Sequence, residues 1–269
     1  MKNRFVLLLL AVLILISACG IGSALKETQL STNKADQWNP SIWSNYVVWQ
    51  DARNGGSDVY LTDMKTKVQT RITKGVDAEN PMVSGTKIVW SDNRNGNCDV
   101  YMYDIKTKKT TRITTNTADQ TNPACYGNLI VWEDNRNSGH DIYLQDLATK
   151  KQTRITTDGF SLDPAIYGTK IVYNNRGDGM TDVGPTVGAF MYDIKTKKVT
   201  QLSNNVYDRP VGIYDSKVLI NGYYDYPYSY VHFINAYNKF VDLPSWEYTG
   251  IYSNKVVYSN NGDVYMAQF

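Results

Sequence analysis

The sequence predicts an all-β fold, a closed six-bladed β-propeller with four antiparallel strands in each blade, and three observations support this. First, a Trp-x-Asp-x-Arg-Asn segment recurs about 41 residues apart, at Trp49, Trp90 and Trp132. Second, each copy is followed by an Asp-Val/Ile-Tyr run and by Arg-Ile-Thr, so one unit holds several short β-like segments, as a propeller blade does. Third, the segment from Glu27 to Ser31 matches the one from Val199 to Ser203, which ends the fourth unit.

Each unit is predicted to hold four strands. The first follows Asn-Pro or a variant of it, because the missing N–H of proline is harmless at the start of a strand. The second is β-branched, the third begins at Asp-Val/Ile-Tyr, and the fourth follows an Asp-x-Lys-Thr-Lys turn. In unit five the second and third strands are predicted at residues 217–220 and 230–234. Unit six stops after its third strand, so the N-terminal strand is expected to complete it and to leave no open edge in the ring.

The N-terminus reads as an export signal. Lys2 and Arg4 precede an apolar run that has the length of a signal-peptide core and is short for a membrane span. The run ends in Ile-Ser-Ala-Cys-Gly, which resembles the lipobox of prokaryotic lipoproteins, and this resemblance implies that Cys19 is lipidated. We therefore expect a signal peptide at 1–18, a lipidated Cys and short tether at 19–26, and the propeller at 27–269. The alternatives are an ordinary secretory signal or an uncleaved anchor, and all of them place the propeller outside the cytoplasm.

Composition narrows the class of partner. The chain has 28 Lys and Arg against 26 Asp and Glu, and Lys2 and Arg4 leave with the signal peptide, so the mature protein is formally neutral. No segment concentrates positive charge, which argues against nucleic acid as a partner. Tyr is the most common aromatic residue, with 21 Tyr against 6 Phe. This pattern suits rings that bury one edge and expose the other to water. We expect a monomer without a cofactor.

The combined pattern, from Asn-Pro through Ile-Val-Trp-x-Asp-x-Arg-Asn-Gly and Asp-Ile-Tyr to Thr-x-Ile-Thr, resembles the TolB-type six-bladed propeller. It is similar above all to the propeller repeats of cell-surface proteins of methanogenic archaea. The resemblance covers 27–157 well, 158–205 moderately and 206–269 in outline. It implies the fold and leaves the activity open. TolB itself carries an additional N-terminal α/β domain, for which the short tether leaves no room, so a Tol-system role is not expected.

The repeated Trp-x-Asp-x-Arg segment has two readings. The side chains share one strand face, because the pleat repeats every two residues, so they could form a ring of carboxylates for acid–base chemistry or cation binding. Alternatively the aromatic ring packs between blades while Asp and Arg brace the hairpin. A feature copied into successive blades favours the brace, and as exposed ion pairs these would contribute at most ~1 kcal/mol each.

Cysteine, histidine and metal chemistry stay open in the sequence. Cys98 and Cys125 could form a disulfide or remain two thiols. His232 is predicted to be a strand residue and His140 to lie on an exposed hairpin, and two isolated histidines do not predict a zinc site. The loop that starts at Asp92 lacks the ligand pattern of an EF-hand. We expect no metal site, although calcium elsewhere on the loops is left open.

Functional residues are expected where the repetition breaks. Unit four has a long second-to-third-strand loop at 177–188, and unit five has a Tyr-rich segment at 223–230 in the same place. Tyrosine clusters on a rigid scaffold are typical of glycan- and protein-binding surfaces. Trp38 and Trp246, predicted on fourth-to-first-strand loops, open on the same side. The candidate binding residues are therefore Trp38, Asp178, Asp182, Tyr223, Tyr224, Asp225, Tyr226, Tyr228 and Trp246.

The predicted function is a protein- or glycan-binding module at the cell surface or in the periplasm, attached to the membrane through its N-terminal lipid. Its partner would be an envelope protein or a surface glycan. One alternative is a glycoside hydrolase or lyase, with Asp178, Asp182 and Asp225 as candidate carboxylates at the channel mouth, since glycosidases need two carboxyl groups about 5–10 Å apart. Another is a structural component of the envelope without a discrete ligand.

Overall fold

The computed structural model describes residues 26–178, 186–223, 227–234, 240–243 and 248–268, and for some strand residues of blades five and six it describes the backbone alone. The predicted signal peptide, Cys19 and the tether up to residue 25 lie outside these ranges. The described residues form 24 strands, and among them there is no helix with the length and apolar character needed to cross a membrane.

The strands form six separate sheets of four antiparallel strands each. In chain order they are β1 (Lys26–Gln29), β2 (Gln37–Trp43), β3 (Tyr46–Asp51), β4 (Asp58–Asp63), β5 (Val68–Arg71), β6 (Glu79–Ser84), β7 (Lys87–Asp92), β8 (Asp99–Asp104), β9 (Lys109–Arg112), β10 (Gln120–Tyr126), β11 (Leu129–Asp134), β12 (Asp141–Asp146), β13 (Lys151–Arg154), β14 (Ser161–Tyr167), β15 (Lys170–Asn175), β16 (Gly188–Asp193), β17 (Val199–Gln201), β18 (Arg209–Tyr214), β19 (Lys217–Tyr223), β20 (Pro227–Phe233), β21 (Phe240–Leu243), β22 (Tyr248–Tyr252), β23 (Lys255–Asn260) and β24 (Asp263–Gln268).

The sheets are the blades of a ring. Their first strands contact one another in the order β2, β6, β10, β14, β18 and β22, and β22 contacts β2 again, so the first strands surround the axis. Six hydrophobic clusters lie between successive blades, each built from both neighbours. The cluster of Val47 and Trp49 with Val257 and Val264 joins blade six to blade one. The predicted all-β, six-bladed propeller is confirmed.

The N-terminal strand closes blade six, as predicted. β1 pairs antiparallel with β24, with Lys26 opposite Gln268 and Gln29 opposite Tyr265. Ser31 extends the junction, since its buried hydroxyl accepts a hydrogen bond from Val264 N at 2.7 Å and donates one to Asp263 Oδ1 at 3.2 Å. A strand from the start of the described chain thus covers an edge that would otherwise be open to pairing with other molecules.

The Asn-Pro motif was predicted to precede the first strands, but the structure places it inside them. In all six blades the pairing of first and second strands shifts by one residue, for example between Trp38 and Ser41 and between Thr121 and Ala124. Four of these bulges hold a residue with positive φ, between 49° and 53°, namely Asn39, Asn80, Asn122 and Asp163. Asn and Asp tolerate this conformation better than other non-glycine residues, and a bulge is one of the few places where a sheet accepts proline.

The strands of blade five are longer than predicted. The second and third strands, β19 and β20, extend towards each other, so Tyr223 ends one strand and Tyr228 lies within the next. Gly222 pairs with Tyr228 and Tyr223 with Pro227. The connection is therefore reduced to residues 224–226, and the predicted Tyr-rich loop is largely a hairpin.

The ring has two faces, and we name each by its content. The cavity face carries the second-to-third-strand hairpins and the fourth-to-first-strand connections, which touch where Ala78 N donates to Ser57 O at 2.8 Å. The lysine face carries the first-to-second-strand and third-to-fourth-strand turns, which touch where Met64 N donates to Asn45 O at 2.7 Å. Equivalent hydrogen bonds join the two kinds of turn on the lysine face in blades two to five.

Candidate functional site

A cavity of about 270 Å³ opens on the axis at the cavity face. The bulged segments of the first strands build most of its wall, and residues special to blade five complete it. The lining residues are Asn39, Pro40, Asn80, Pro81, Met82, Asn122, Pro123, Asp163, Pro164, Tyr207, Arg209, Val211, Asn221, Gly222, Ser229 and Thr249.

Side-chain amides form a hydrogen-bonded arc around this cavity. Asn39 Nδ2 donates to Asn80 Oδ1 at 2.9 Å, and Asn80 Nδ2 donates to Asn122 Oδ1. Asn122 Nδ2 donates in turn to Glu133 Oε1 at 2.6 Å. The left-handed backbone at each Asn turns its side chain towards the neighbouring blade, so the bulge converts a repeated motif into a continuous polar rim.

Two side chains behind the arc hold it in place. Gln50 Oε1 accepts from Asn39 Nδ2 at 2.8 Å and from Asn80 N at 3.0 Å. Glu133 Oε1 fills the same role two blades on, accepting from Asn122 Nδ2 and, at 2.6 Å, from Asp163 N. Burial raises the pKa of the Glu133 carboxyl, and the nearby charge of Asp163 raises it further.

The repetition breaks on the opposite side of the cavity. Arg209 Nε donates to Asp163 Oδ2 at 2.8 Å, and the Arg209 side chain is 47% exposed. Beside this pair Ser229 Oγ donates to Asn221 Oδ1 at 3.0 Å. Because nearly half of the Arg209 side chain is exposed, its guanidinium is accessible to a ligand in the cavity. Sequence reasoning missed Arg209, although it stands in the Asn position of the Asn-Pro motif.

The structure places four of the predicted binding residues, some only in part. Asp178 is exposed and follows β15 on the cavity face. Trp38 was predicted on a connecting loop, but it lies within β2, paired with Gln50 and half-buried. Tyr223 and Tyr228 are strand residues at the end of the blade-five hairpin that borders the cavity, and their side chains lie outside the described part of the structure. Asp182, Tyr224, Asp225, Tyr226 and Trp246 also lie outside the described residues.

The repeated Trp-x-Asp-x-Arg segment is a brace, as the second reading proposed. Asp92 Oδ2 accepts from Trp90 Nε1 at 2.8 Å, and its two oxygens accept from Arg94 Nε at 2.8 Å and Arg94 Nη2 at 2.5 Å. The guanidinium lies 4.2 Å from the ring centre of Tyr101, which stacks on Trp90. The arrangement repeats around Asp51 and Asp134. The expectation of exposed ion pairs was wrong, because each Asp side chain is fully buried.

The Asp-Val/Ile-Tyr and Arg-Ile-Thr motifs form a second brace. Arg71 Nη2 donates to Asp58 Oδ2 at 2.6 Å, and Thr73 Oγ1 donates to Asp58 Oδ1 at 3.2 Å. The same contacts recur around Asp99 and Asp141. The scaffold therefore uses all six repeated carboxylates, and no cluster of three His, Cys, Asp or Glu suited to a metal ion exists among the residues that the structure describes.

An aromatic rosette closes the axis at the lysine face. It consists of the last residue of five first strands: Trp43, Tyr126, Tyr167, Tyr214 and Tyr252. The ring centre of Trp43 lies 5.2 to 6.3 Å from those of the four tyrosines, so Trp43 fills the middle. Burial raises the pKa of Tyr167 to about 12, with Tyr126 and Tyr214 adding to the effect. The sequence analysis did not identify this cluster.

The remaining candidates are structural. Cys98 and Cys125 are free thiols without a disulfide, and burial raises the pKa of Cys125 to about 12. His232 lies in β20, opposite Val218, as predicted. His140 is 51% exposed on its hairpin, with Nδ1 3.7 Å from Glu133 Oε2.

Comparisons with known proteins identify the fold. No family model matches the sequence, and no curated protein matches it. Among solved structures, the chain is similar to a TolB-type protein from Agrobacterium tumefaciens (TM-score 0.64, 17% identity, 89% of this chain and 92% of that one). It is also similar to an oligogalacturonate lyase in complex with manganese (0.60, 12%, 87% and 74%) and to the propeller domain of the Trilobed protease from Pyrococcus furiosus (0.57, 14%, 88% and 82%). At these identities the likeness is one of fold, that of the TolB-like six-bladed propeller.

Proposed function

We propose that this chain is an extracytoplasmic binding module, anchored to the membrane through a lipid on Cys19, which captures a surface glycan or an envelope protein at its cavity face. One observation carries the proposal. The axial cavity is open at the cavity face, while the rosette around Trp43 fills the axis at the other end. The axis is therefore a one-ended pocket rather than a passage.

The chemistry of the cavity fits a polyhydroxylated ligand best. Its wall offers amide groups from Asn39, Asn80 and Asn122, a carboxylate from Asp163 and a guanidinium from Arg209. Such groups bond hydroxyls in directions fixed by a rigid strand framework, as small-ligand sites require. A half-exposed ring, Tyr207, stands at the edge and offers a stacking surface.

A protein partner is the second candidate, and the sequence of the blade-five hairpin favours it. Five tyrosines lie between positions 223 and 230, and Tyr223 and Tyr228 lie in the strands of the hairpin that borders the cavity. Tyrosine gives a large contact area for a small loss of side-chain entropy, which is why it is enriched in binding surfaces. For either kind of ligand, we propose additional contacts from Asp178, Asp182, Asp225, Trp38 and Trp246.

Capture on intact cells tests the binding face. Crosslinking followed by identification of the bound proteins and glycans should yield one dominant partner. Arg209→Ala is expected to weaken capture at least tenfold, whereas Arg176→Ala, an exposed arginine on the same face, should leave it unchanged. The triple variant Y224A/Y226A/Y228A should abolish capture with little loss of thermal stability. Full capture by both R209A and the triple variant would refute the proposed site.

The anchor is tested separately. The N-terminal peptide of the membrane-extracted protein should begin at Cys19 and carry the mass of a lipid adduct. Cys19→Ser should leave that peptide without the adduct. A protein that retains Cys19 but has no adduct, or that is found in the medium, would contradict the lipoprotein assignment without affecting the binding face.

A further inference from the structure

Positive charge is spread evenly along the chain, but the topology collects it on one face. Among the described residues, the lysine face carries fourteen lysines in its turns or at the first strand position after them, against five aspartates in its turns or at the last strand position before them. The lysines are Lys65, Lys67, Lys87, Lys106, Lys108, Lys109, Lys150, Lys151, Lys170, Lys195, Lys197, Lys198, Lys217 and Lys255. The premise that no segment concentrates positive charge holds for the sequence and fails for the folded ring.

These lysines are not neutralised by their surroundings. Among the residues that the structure describes, no lysine of this face lies within 4.0 Å of a carboxylate oxygen. The aspartates of the face serve their own turns instead. Asp63 Oδ1 accepts from Asn45 Nδ2 at 2.7 Å and from Lys65 N at 2.9 Å, and these bonds lower the pKa of Asp63.

The two faces therefore differ in electrostatic character. The arginines of the cavity face are largely paired, since seven of them lie 2.5 to 2.8 Å from an aspartate oxygen. The lysines point outward without such partners, and those of the third-to-fourth-strand turns are exposed. A surface of this kind attracts an extended polyanion within a Debye length.

The centre of the lysine face is aromatic. The rosette of Trp43 and four tyrosines is half-buried, so part of each ring reaches the surface in the middle of the lysines. Trp and Tyr favour the headgroup region of a membrane because their rings combine an apolar body with a polar edge. A ring of cations around an aromatic centre matches the surface of an anionic membrane, to which basic and aromatic side chains both bind.

The start of the described chain lies on this face. β1 is the fourth strand of blade six, and it begins at Lys26, opposite Gln268. In the other blades the fourth strand begins at the third-to-fourth-strand turn, on the lysine face, and β1 begins on the same face. Cys19 is seven positions before Lys26, so the tether reaches at most about 25 Å. A lipid on Cys19 would thus hold the membrane near the lysines and away from the cavity.

We propose that the lysine face docks on an anionic lipid surface, the membrane that holds the lipid on Cys19, so that the cavity points away from that membrane. This orientation rests on the proposed anchor, while the affinity of the face for anionic lipid does not. Each lysine that reaches an anionic surface strengthens binding about fivefold, so several acting together are enough to fix the orientation.

Lysine footprinting of the full lipidated chain tests the orientation. The protein is reconstituted on phosphatidylcholine vesicles with or without phosphatidylglycerol, and lysines are acetylated and quantified by mass spectrometry. On anionic vesicles Lys65, Lys106 and Lys195 should react several-fold more slowly than on neutral ones. Lys34 and Lys74, exposed on the cavity face, should react equally on both. Equal reactivity of the two groups, or equal protection on neutral vesicles, would overturn the proposal.

Charge reversal supplies the matched control. K65E/K106E/K195E alters equivalent turn positions of three blades, and it should abolish the protection of the remaining face lysines and reduce binding to anionic vesicles at least 30-fold. K34E/K74E should change neither. Melting temperatures of both variants equal to that of the wild type would show that the fold is retained. A triple variant that still binds anionic vesicles and whose remaining face lysines are still protected would overturn the proposal.

Two further measurements distinguish this proposal from the proposed lipid anchor and from binding to another polyanion. If Cys19 carries no lipid, the anchor fails, and co-sedimentation of the secreted chain with the same two vesicle types then decides the affinity of the face. Binding to anionic vesicles alone would support it, and binding to neither would refute it. Binding to duplex DNA or heparin at least as tight as to anionic vesicles would identify another polyanion as the partner and refute the membrane.

Discussion

Replacement of Asp92 by Asn tests the brace most directly, because it removes the charge and keeps the shape. Asp92 Oδ1 accepts from Arg94 N at 3.2 Å and Arg94 Nε at 2.8 Å, while Oδ2 accepts from Trp90 Nε1 and Arg94 Nη2. Every one of these four contacts needs an acceptor. An amide has one oxygen, so in either orientation its NH₂ group faces two N–H donors.

The structure sets the size of the effect. Asp92 is fully buried and Trp90 is 1% exposed, whereas the Arg94 side chain is 34% exposed and can turn to water. The loss is therefore one or two buried donors left without acceptors, about 1–3 kcal/mol each. We discount the ion pair itself because of the exposure of Arg94. The expected loss in free energy of unfolding is about 2–4 kcal/mol, or a fall in Tm of roughly 5–15 °C.

Calorimetry or urea unfolding of D92N measures this, with Asp119→Asn as the control. Asp119 is exposed, and its contact with Cys98 N at 2.8 Å needs one oxygen, so D119N should change stability by no more than about 0.5 kcal/mol. D51N and D134N should cost as much as D92N, since the three braces share their geometry. A D92N protein as stable as D119N, or very unequal costs among the three blades, would refute the reasoning.

Three further predictions follow from buried groups. Ser31→Ala should lower the free energy of unfolding by about 1–3 kcal/mol, because Val264 N loses its buried acceptor; Thr32→Ala, at the exposed neighbouring position, is the control, and equal stability of the two variants in urea would argue against the closure. Cys125 should resist alkylation at pH 8 in the native protein and react fully in urea, since burial raises its pKa to about 12; rapid native labelling measured by mass would contradict this. Glu133→Gln should raise Tm at pH 8, because the raised pKa of Glu133 makes the folded state bind its proton more tightly than the unfolded chain, so that stability falls as pH rises between the two pKa values. The difference should close when pH falls below the ordinary Glu pKa, and an unchanged gap there would disprove the linkage.

The sequence was sufficient to predict the six-bladed ring because the first units repeat the same motifs at nearly constant spacing. The spacing of Trp49, Trp90 and Trp132 predicts the blade, and the orphan segment at Glu27 predicts its closure by β1. The braces were also within reach, since residues two apart in a strand share a face. The burial of the brace carboxylates could not be predicted, because the solvent access of Asp92 depends on packing in the assembled ring.

Other features depend on where segments meet. The bulge at Asn39 needs neighbouring blades to complete its hydrogen bonds, so local propensity alone does not predict it. The rosette did leave a signal in several blades: an aromatic residue stands four positions after the Asn of the motif, as Trp43 follows Asn39 and Tyr126 follows Asn122. The lysine face left a signal too, since the Asp-x-Lys-Thr-Lys turn recurs in several units. The sequence did not show that these turns share one face, because turns far apart in sequence become neighbours only when the blades close into a ring.

The pairing of β1 with β24 also governs when the protein can finish folding. Ser31 and Asp263 are 232 positions apart in sequence, so the first strand of the disc to be synthesised waits for the last. Until then the growing protein is an open arc whose two terminal blades expose Val47 and Val257 to other chains. Because such non-local contacts form slowly, the apolar sides of the terminal blades stay exposed for as long as the ring is open.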